Sequence, residues 1–336
     1  MIVPGRGCPS WQQEGAMDRQ ARTGYGVAAL LLLSGCALLA GGIFKVIPQP
    51  ERPLQIGTNL WLGYEPFHLA RAAGHLPEDV TLVEARSSPA LMEALSSGSL
   101  DGAALTMDEV MRLEAAGRPM AILAVLDISR GADVVLARSG DVAQASLAGK
   151  RIGVETEGVG AFVLHRFLER RGVLPAQVQV VQVAAGDHEE AFAKHKLDYL
   201  VSYEPLVGRL EGRGAVRVFD SAAIAGEVVD VLALRRDRLA GRDEALRRLL
   251  SAWYRGVGML TGGQPEWLDR VAQRQGMTRE QLARVLSGLD FPDSTGSQAL
   301  LAPGTRALEP VRRWLMAAGQ TQGPVDPLLD PTYLPR

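Results

Sequence analysis

Cysteine, lysine and aromatic residues are all scarce in this chain of 336 residues. The two cysteines, Cys8 and Cys36, precede the region with strand and helix patterns, which excludes a disulfide framework or a thiolate metal site in that region. Four of the 36 basic residues are lysines, and the arginines are scattered among 38 acidic residues. A formal charge of −2 without basic clusters argues against nucleic-acid binding. The length is sufficient for two compact units.

The N-terminal region carries the pattern of an export signal. Arg19 and Arg22 precede an apolar run over residues 27–33, which ends in L-S-G-C at residues 33–36. This tetrapeptide resembles the lipobox of bacterial lipoproteins, in which the cysteine, here Cys36, carries the lipid after processing. Met17 is then a more natural start than Met1, and residues 1–36 form the signal segment.

An uncleaved anchor is the alternative, because the apolar character continues from residue 27 to residue 44, a stretch just long enough to span a membrane once. Both interpretations export the following domain and tether it to a membrane. Residues 37–53 contain Pro48, Pro50 and Pro53 toward their end, and we interpret them as a stiff tether.

From residue 54 onward, strand and helix patterns alternate, which predicts an α/β fold with helices on both faces of a sheet. The similar runs V-V-L-A at 134–137 and V-V-D-V-L-A at 228–233 bracket a segment that repeats this alternation. We therefore predict two doubly wound α/β lobes joined by a two-strand hinge, with a helical C-terminal part. Lobe 1 takes in residues 54–135 and 230–336, lobe 2 takes in residues 136–229, and we expect a monomer.

Candidate ligand-binding residues follow from the rule that ligands of open α/β sheets bind beyond the carboxyl ends of the strands. The turn after the first predicted strand adds an aromatic pair to a helix start, and later turns supply hydroxyl groups, carboxylates and glycines. The candidates are Trp61, Tyr64, Glu65, Ser87, Ser88, Thr106, Asp108, Gly158, Val159, Gly160 and Glu204. The alternative for Trp61 and Tyr64 is that they only cap the core of lobe 1.

Six short motifs, taken in order, resemble one family. They are W-L-G-Y-E-P (61–66), A-R-A-A-G (70–74), A-L-S-S-G-S-L-D (94–101), L-A-G-K-R-I-G-V (147–154), D-Y-L-V-S-Y-E-P (198–205) and L-L-D-P-T-Y-L (328–334). Their order and spacing resemble the type II periplasmic solute-binding proteins of ABC importers, in the branch of nitrate, alkanesulfonate, taurine and thiamine-pyrimidine binders. The resemblance implies the type II periplasmic binding protein fold, a small ligand in a cleft between the lobes, an ABC permease as partner, no cofactor and no catalysis.

Patterns for other chemistry are incomplete. Gly158 and Gly160 follow a predicted strand, but Val163 stands where a dinucleotide fingerprint needs its third glycine. His188 and Glu189 begin like a zinc-protease helix, but Phe192 stands where the second histidine belongs, so we expect no metal site. No acid, base and nucleophile stand at a suggestive spacing, which argues against an enzyme. A ligand-sensing ectodomain with a signalling partner remains the second candidate, and an enzyme on the same scaffold the third.

The charge of the ligand is open at this point. The candidate residues of the predicted turns include no arginine or lysine, and the acids of these turns are Glu65, Asp108, Asp127, Glu155 and Glu204. Carboxylates beside Trp61, Tyr64 and Tyr203 favour a cationic or amino-heterocyclic ligand. The alternative is a small anion such as a sulfonate or nitrate, bound by N–H groups at helix starts near residues 63–67 and 158–161, with the acids acting as helix caps.

Overall fold

Two β-sheets with helices packed against them organise the part of the chain that the computed structural model describes, residues 52–140, 146–194, 196–323 and 325–336. The predicted signal segment, Met17, Cys36 and all but the last two residues of the predicted tether lie outside these residues. From Pro53 to Arg336 the chain forms one compact unit. No helix among the described residues combines the length and apolarity that crossing a bilayer requires.

The strands are β1 (Leu54–Thr58), β2 (Val80–Glu84), β3 (Gly102–Thr106), β4 (Met120–Ser129), β5 (Asp133–Arg138), β6 (Arg151–Val154), β7 (Gln179–Gln182), β8 (Tyr199–Tyr203), β9 (Ala215–Asp220), β10 (Val229–Arg235), β11 (Leu289–Asp290) and β12 (Leu328–Leu329). The helices are α1 (Glu65–Ala72), α2 (Ser88–Ser97), α3 (Met107–Ala115), α4 (Gly160–Arg170), α5 (His188–Ala193), α6 (Leu206–Glu211), α7 (Asp243–Thr261), α8 (Pro265–Gln275), α9 (Arg279–Leu286), α10 (Ser294–Leu300) and α11 (Glu309–Ala317).

The two sheets follow the same plan. The first has the order β11-β4-β10-β3-β1-β2, with β12 also paired to β4, and the second has the order β7-β6-β8-β5-β9. In the first sheet β1 runs parallel to β2 and β3, and β10 runs antiparallel to β3 and β4. In the second, β6 runs parallel to β7 and β8, and β5 runs antiparallel to β8 and β9. The predicted two-lobed α/β fold is confirmed.

The chain passes from the first sheet to the second between Ser129 and Asp133, and it returns between Asp220 and Val229. The two similar valine-rich runs therefore lie in β5 and β10, one in each sheet, and residues 130–132 and 221–228 make the crossings. Both crossings lie beside the cleft, because β4 and β9 end there and β5 and β10 begin there.

Local sequence signals explain the helices that border this cleft. Helix α2 begins where the Ser87 hydroxyl accepts a hydrogen bond from the Ala90 N–H, and it ends at Gly98, whose φ of 81° suits a residue without a side chain. Helix α3 begins with a capping box, in which the Thr106 N–H donates to Glu109 Oε2 at 3.0 Å. The capping box holds the Glu109 carboxylate at the carboxyl end of β3.

The C-terminal helices cover the first sheet and also reach the second lobe. Helix α7 packs on α1, where the rings of Phe67 and Trp253 are 4.6 Å apart. Helix α11 packs against α4, with the rings of Trp314 and Phe162 5.4 Å apart. Trp253 and Trp314 are buried. The second contact links the C-terminal part of lobe 1 to the other lobe directly.

Candidate functional site

A small cavity lies between the two sheets, at the edge where β1, β3, β6 and β8 end. Its volume is about 30 Å³, on the order of the space that one water occupies. Five of the sequence-predicted residues line it: Trp61, Tyr64, Ser88, Thr106 and Val159. Six further residues complete the lining: Asn59, Glu109, Asp133, Glu155, Tyr203 and Asp230.

The aromatic residues of the cavity come from both lobes. Trp61 follows β1 and Tyr203 ends β8, and their rings meet edge to face at 5.8 Å. The Asn59 side chain fixes the turn, because its oxygen accepts a hydrogen bond from the Trp61 N–H at 2.8 Å and its nitrogen donates to the Ser88 hydroxyl at 3.1 Å. The Trp61 indole N–H donates to Asp127, at 3.3 Å from Oδ2. The indole orientation is therefore set by lobe 1 alone.

Two buried aspartates stand directly opposite each other behind this turn. Asp127 of β4 pairs in register with Asp230 of β10, and the Tyr64 hydroxyl donates to Asp230 Oδ1. Burial raises the pKa of Asp127 to about 8, with a further contribution from the charge of Asp133. Burial and the charge of Asp127 raise the pKa of Asp230 well above its usual range. Neighbouring carboxylates without a cation favour sharing a proton.

Glu109 and Asp133 each have one buried carboxylate oxygen without a donor among the described residues. Glu109 Oε2 accepts from the Thr106 N–H, and the Asp133 N–H donates to the Ser129 hydroxyl, which partly offsets the rise in the pKa of Asp133. Burial and the charge of Asp108 raise the pKa of Glu109 to about 8, and burial raises the pKa of Asp133 to about 6. Among the described residues, no donor lies in hydrogen-bonding geometry to Glu109 Oε1 or Asp133 Oδ2. The Ser88 hydroxyl lies near Glu109 and partly offsets the rise in the pKa of Glu109.

Glu155 adds a further carboxyl group from lobe 2, at the end of β6. Burial raises its pKa from the usual value. The cavity lining thus contains four carboxyl groups, from Glu109, Asp133, Glu155 and Asp230, and no arginine or lysine among the residues that the structure describes. Lobe 1 contributes Glu109 and Asp230. Asp133 begins β5 and Glu155 directly follows β6, and both strands belong to the second sheet, so we group Asp133 with lobe 2 although the lobe boundary was predicted after residue 135.

Six predicted site residues do not line this cavity. Glu65 is buried and pairs with Arg274, whose Nε lies 2.9 Å from Glu65 Oε1. Ser87 caps α2, and Asp108 Oδ1 accepts a hydrogen bond from the Thr106 hydroxyl at 2.7 Å. The other three, Gly158, Gly160 and Glu204, lie nearby in lobe 2.

These three residues have structural surroundings of their own. The Gly158 carbonyl oxygen accepts a hydrogen bond from Arg112 of lobe 1 at 3.4 Å, and Gly160 begins α4. Glu204 lines a larger cavity of about 230 Å³ beside the crossing at residues 130–132. There Glu204 Oε1 lies 3.4 Å from Arg217 Nη2, and Arg217 Nη1 donates to the Gly131 carbonyl oxygen at 2.7 Å. In this larger cavity Arg217 pairs with Glu204, Glu211 and Asp220, whereas Arg130 and Arg209 pair with Asp290 and Glu189 outside its lining.

The sequence rule missed Asp133 and Asp230 for a geometric reason. Both stand near the beginning of an antiparallel strand, and such a strand starts at the edge where the parallel strands end. Glu109 carried a local signal, because the spacing T-x-x-E at residues 106–109 is a capping box. Glu155 and Tyr203 end or follow a strand, so the rule applied to the sequence could have included them.

The structure gives His188 a role in packing. His188 is buried, its Nδ1 lies 3.0 Å from the Ser202 hydroxyl, and burial lowers its pKa to about 4. His195 lies outside the described residues. No group of three or more histidine, cysteine or acidic side chains that could hold a metal ion is found in the described ranges.

Gly63 allows the close approach of Trp61 to Asp127. A methyl group on Gly63 would lie 2.6 Å from Asp127 Cγ and overlap both Asp127 Oδ2 and the indole nitrogen. We expect Gly63→Ala to displace the indole and to weaken ligand binding by about tenfold, the value of one charge-assisted hydrogen bond. Isothermal titration would measure this loss. The control is Gly186→Ala, where an added methyl meets no atom within 4 Å, and equal affinities of the two variants would contradict the prediction.

Solved structures share the fold of this chain. The ligand-binding component of an ABC-type import system from Staphylococcus aureus superposes with a TM-score of 0.69 at 14% identity, covering 84% of this chain and 98% of that one. The alkanesulfonate-binding protein of Xanthomonas axonopodis gives a TM-score of 0.68 at 18% identity, with 86% and 99% covered. The aliphatic sulphonate-binding protein of Escherichia coli gives 0.68 at 17% identity, with 83% and 91% covered.

Sequence comparison adds relatives and a family. Binding proteins of Brucella abortus and Brucella suis are 26% identical to this chain over 200 residues, which is 56% of this chain. The match spans 59% of the length of these relatives. The model of the NMT1-like family matches residues 48–275. These findings confirm the resemblance to solute-binding proteins that the motifs predicted, and the chain belongs to the NMT1-like family.

Proposed function

We propose that this chain is the exported solute-binding component of an ABC importer and that it captures a small cationic or amino-heterocyclic molecule between its lobes. The proteins of similar sequence and fold are named as binding proteins, and one of them is named as the ligand-binding component of an ABC-type import system, which supports the binding role. The cavity lining supports the ligand class. It combines four carboxyl groups and an aromatic pair with no basic side chain among the described lining residues.

The contribution of both lobes to one cavity is the observation that carries the proposal. Trp61, Glu109 and Asp230 belong to lobe 1, whereas Glu155 and Tyr203 belong to lobe 2. A ligand that contacts both sets stabilises the closed arrangement and not an open one, which is how a hinge protein couples capture to closure. A cation between carboxylates and aromatic rings gains charge pairing and cation–π contacts of about 1 to 2 kcal/mol each when desolvated.

Contacts between the lobes outside the cavity support the proposal that the closed arrangement is a specific conformation. Arg112 of α3 donates from Nη1 to the Thr156 carbonyl oxygen at 3.1 Å, across the boundary between the lobes. Its guanidinium carbon also lies 4.8 Å from the centre of the Trp314 ring. Trp314 in turn packs on Phe162 of α4. We propose that these contacts form when the crossings at residues 130–132 and 221–228 bend to bring the lobes together.

We further propose that the protein is exported and anchored to a membrane at its periplasmic face by a lipid on Cys36. The L-S-G-C sequence supports this proposal, and an uncleaved N-terminal anchor is the alternative. Mass spectrometry of the mature N-terminus separates the two. A diacylglyceryl-modified Cys36 is the expected result, and a chain that retains Met17 would contradict it.

Ligand binding can be tested by thermal-shift screening of the purified full chain against amines, amidines, aminopyrimidines and alkanesulfonates, followed by isothermal titration of the hits. We expect stabilisation by amino compounds and none by sulfonates. Trp61→Ala should weaken binding by about tenfold or more, because the aromatic face is lost, and Trp61→Phe should lose less. Tight binding of a sulfonate without any response to amino compounds would contradict the proposed ligand class.

A further inference from the structure

The cavity contains two buried acceptor atoms without donors, one from each lobe. Glu109 is fully buried and Asp133 is 4% exposed, and both line the cavity. Glu109 Oε2 accepts a hydrogen bond from the Thr106 N–H, and the Asp133 main chain is held by its N–H, which donates to the Ser129 hydroxyl at 3.2 Å. The oxygens Glu109 Oε1 and Asp133 Oδ2 have no partner in the described part of the chain.

Unpartnered buried acceptors are costly and uncommon, and each one in a native protein calls for an explanation. Other cavity side chains are already committed: the Tyr64 hydroxyl donates to Asp230, and the Asn59 side-chain nitrogen donates to Ser88. Glu109 is anchored by the Thr106 N–H. A cation in the cavity would favour the ionised, acceptor form of both carboxyl groups, which burial disfavours while the cavity is empty. A ligand in the cavity is therefore expected to supply hydrogen-bond donors to Glu109 Oε1 and Asp133 Oδ2.

We propose that the ligand is a small planar cation with at least two N–H donors, of the amidinium, guanidinium or protonated amino-heterocycle class, and that it donates to Glu109 Oε1 and Asp133 Oδ2. This inference rests on the proposed function and narrows its ligand class. The cavity of about 30 Å³ has to widen to admit such a ligand, which would then lie beside the edge-to-face pair of Trp61 and Tyr203. Because one acceptor belongs to each lobe, the two hydrogen bonds join the lobes through the ligand.

The same geometry excludes quaternary ammonium ions. Such ions satisfy the charge of a carboxylate and stack on aromatic rings, but they have no N–H group, so both oxygens would stay unpaired and buried. A site built to hydrogen-bond its ligand rejects an analogue that lacks the donors far more strongly than a hydrophobic pocket rejects a change in size. A comparison of N–H cations with quaternary ammonium ions therefore distinguishes recognition of hydrogen-bond donors from a general attraction of cations.

Isothermal titration of the full chain with acetamidinium, methylguanidinium and tetramethylammonium tests the inference. We expect tetramethylammonium to bind at least about a hundredfold more weakly than the better of the two N–H cations. Binding of tetramethylammonium within threefold of acetamidinium would overturn the inference and leave the proposed function standing. If an alkanesulfonate binds and none of the cations does, both the inference and the proposed ligand class fail, and if none of these compounds binds, the inference also fails.

Two variants test whether the ligand donates hydrogen bonds to Glu109 Oε1 and Asp133 Oδ2. Glu109→Gln and Asp133→Asn should each weaken acetamidinium binding by about tenfold or more, because the charge-assisted hydrogen bond is lost. Neither variant should lower the melting temperature at pH 8.5, since each removes a buried carboxyl group whose ionised form is disfavoured. Glu157→Gln, at an exposed carboxylate of the neighbouring loop, is the charge-matched control and should bind normally. Unchanged affinity in Glu109→Gln and Asp133→Asn, or the same loss in the control, would overturn the assignment.

Discussion

The protein without ligand is expected to lose about 2 to 4 kcal/mol of unfolding free energy as the pH rises from about 6.5 to about 8.5. Asp127 and Glu109 both have a folded-state pKa of about 8, compared with usual values of 3.8 and 4.5. At pH values between the usual pKa of these groups and about 8, the folded chain holds protons that the unfolded chain has released. The stability from these groups is complete below their usual pKa and is lost as the pH rises through about 8, at about 1 kcal/mol per pH unit for each group.

Two buried histidines affect how the stability of the fold changes with pH below about 6.5. Burial lowers the pKa of His68 to about 3 and that of His188 to about 4, compared with the usual 6.5. Their contribution is complete above pH 6.5 and is lost as the pH falls toward these values, because the unfolded chain then binds protons that the folded chain does not. Above pH 6.5 the histidines contribute no slope, and the carboxyl groups dominate.

Asp127→Asn provides the matched variant for the pH prediction. Asparagine retains an oxygen that can accept the Trp61 indole hydrogen bond, but it cannot ionise. Chemical denaturation at several pH values should show a smaller loss of stability above pH 6.5 in this variant. The substitution also removes the charge of Asp127, which raises the pKa of Asp230, so the pKa of Asp230 should fall. A wild-type protein that gains stability from pH 6.5 to 8.5 would contradict the assignment of raised pKa values to these carboxyl groups.

Gly256→Ala is expected to destabilise the fold by about 3 kcal/mol or more, because an added methyl group meets main chain that cannot rotate away. Gly256 lies in α7 where this helix crosses α1. Its methyl would lie 2.6 Å from the Pro66 carbonyl carbon and 2.9 Å from Pro66 Cα, and it would overlap the carbonyl oxygen. The two helices would have to separate, and the Phe67–Trp253 contact between them would loosen.

Gly258→Ala is the control in the same helix. Its methyl meets no atom within 4 Å, and Gly258 is exposed. Alanine at this position should stabilise the helix by up to about 1 kcal/mol. Thermal and chemical unfolding of both variants would measure the difference, and a Gly256→Ala protein as stable as Gly258→Ala would show that the helices do not approach as closely as described. Because α1 follows the Trp61 turn directly, Gly256→Ala should also weaken ligand binding.

The ligand class proposed here differs from the one in the names of the sulfonate-binding proteins that share this fold. Two of those proteins are 17 to 18% identical to this chain, and a shared fold does not determine the ligand. Here the described lining consists of carboxyl groups, aromatic rings, hydroxyl groups, an amide and Val159. Because carboxylates repel a sulfonate, we propose that the charges at the strand ends, rather than the fold, select the ligand.

Local patterns determined much of the fold. The predicted alternation of strands and helices from residue 54 onward is found in the structure, for example in the strand Val80–Glu84 and the helix Met107–Ala115. Alternating burial, helix caps and glycine positions act over a few residues, so they can be recognised from the sequence. The same patterns placed Trp61, Tyr64, Ser88, Thr106 and Val159 at strand ends, and all five line the cavity.

Tertiary structure decided which charged groups face the cavity. Glu65 stands at a helix start as predicted, but Arg274, 209 residues further along the chain, pairs with it. Asp133 and Asp230 enter the cavity because their strands run antiparallel to their neighbours, so the strands begin at the cleft. The Asp127–Asp230 pair depends on the register between β4 and β10. Ion pairing and strand register join residues that are distant in sequence, and no local period encodes them.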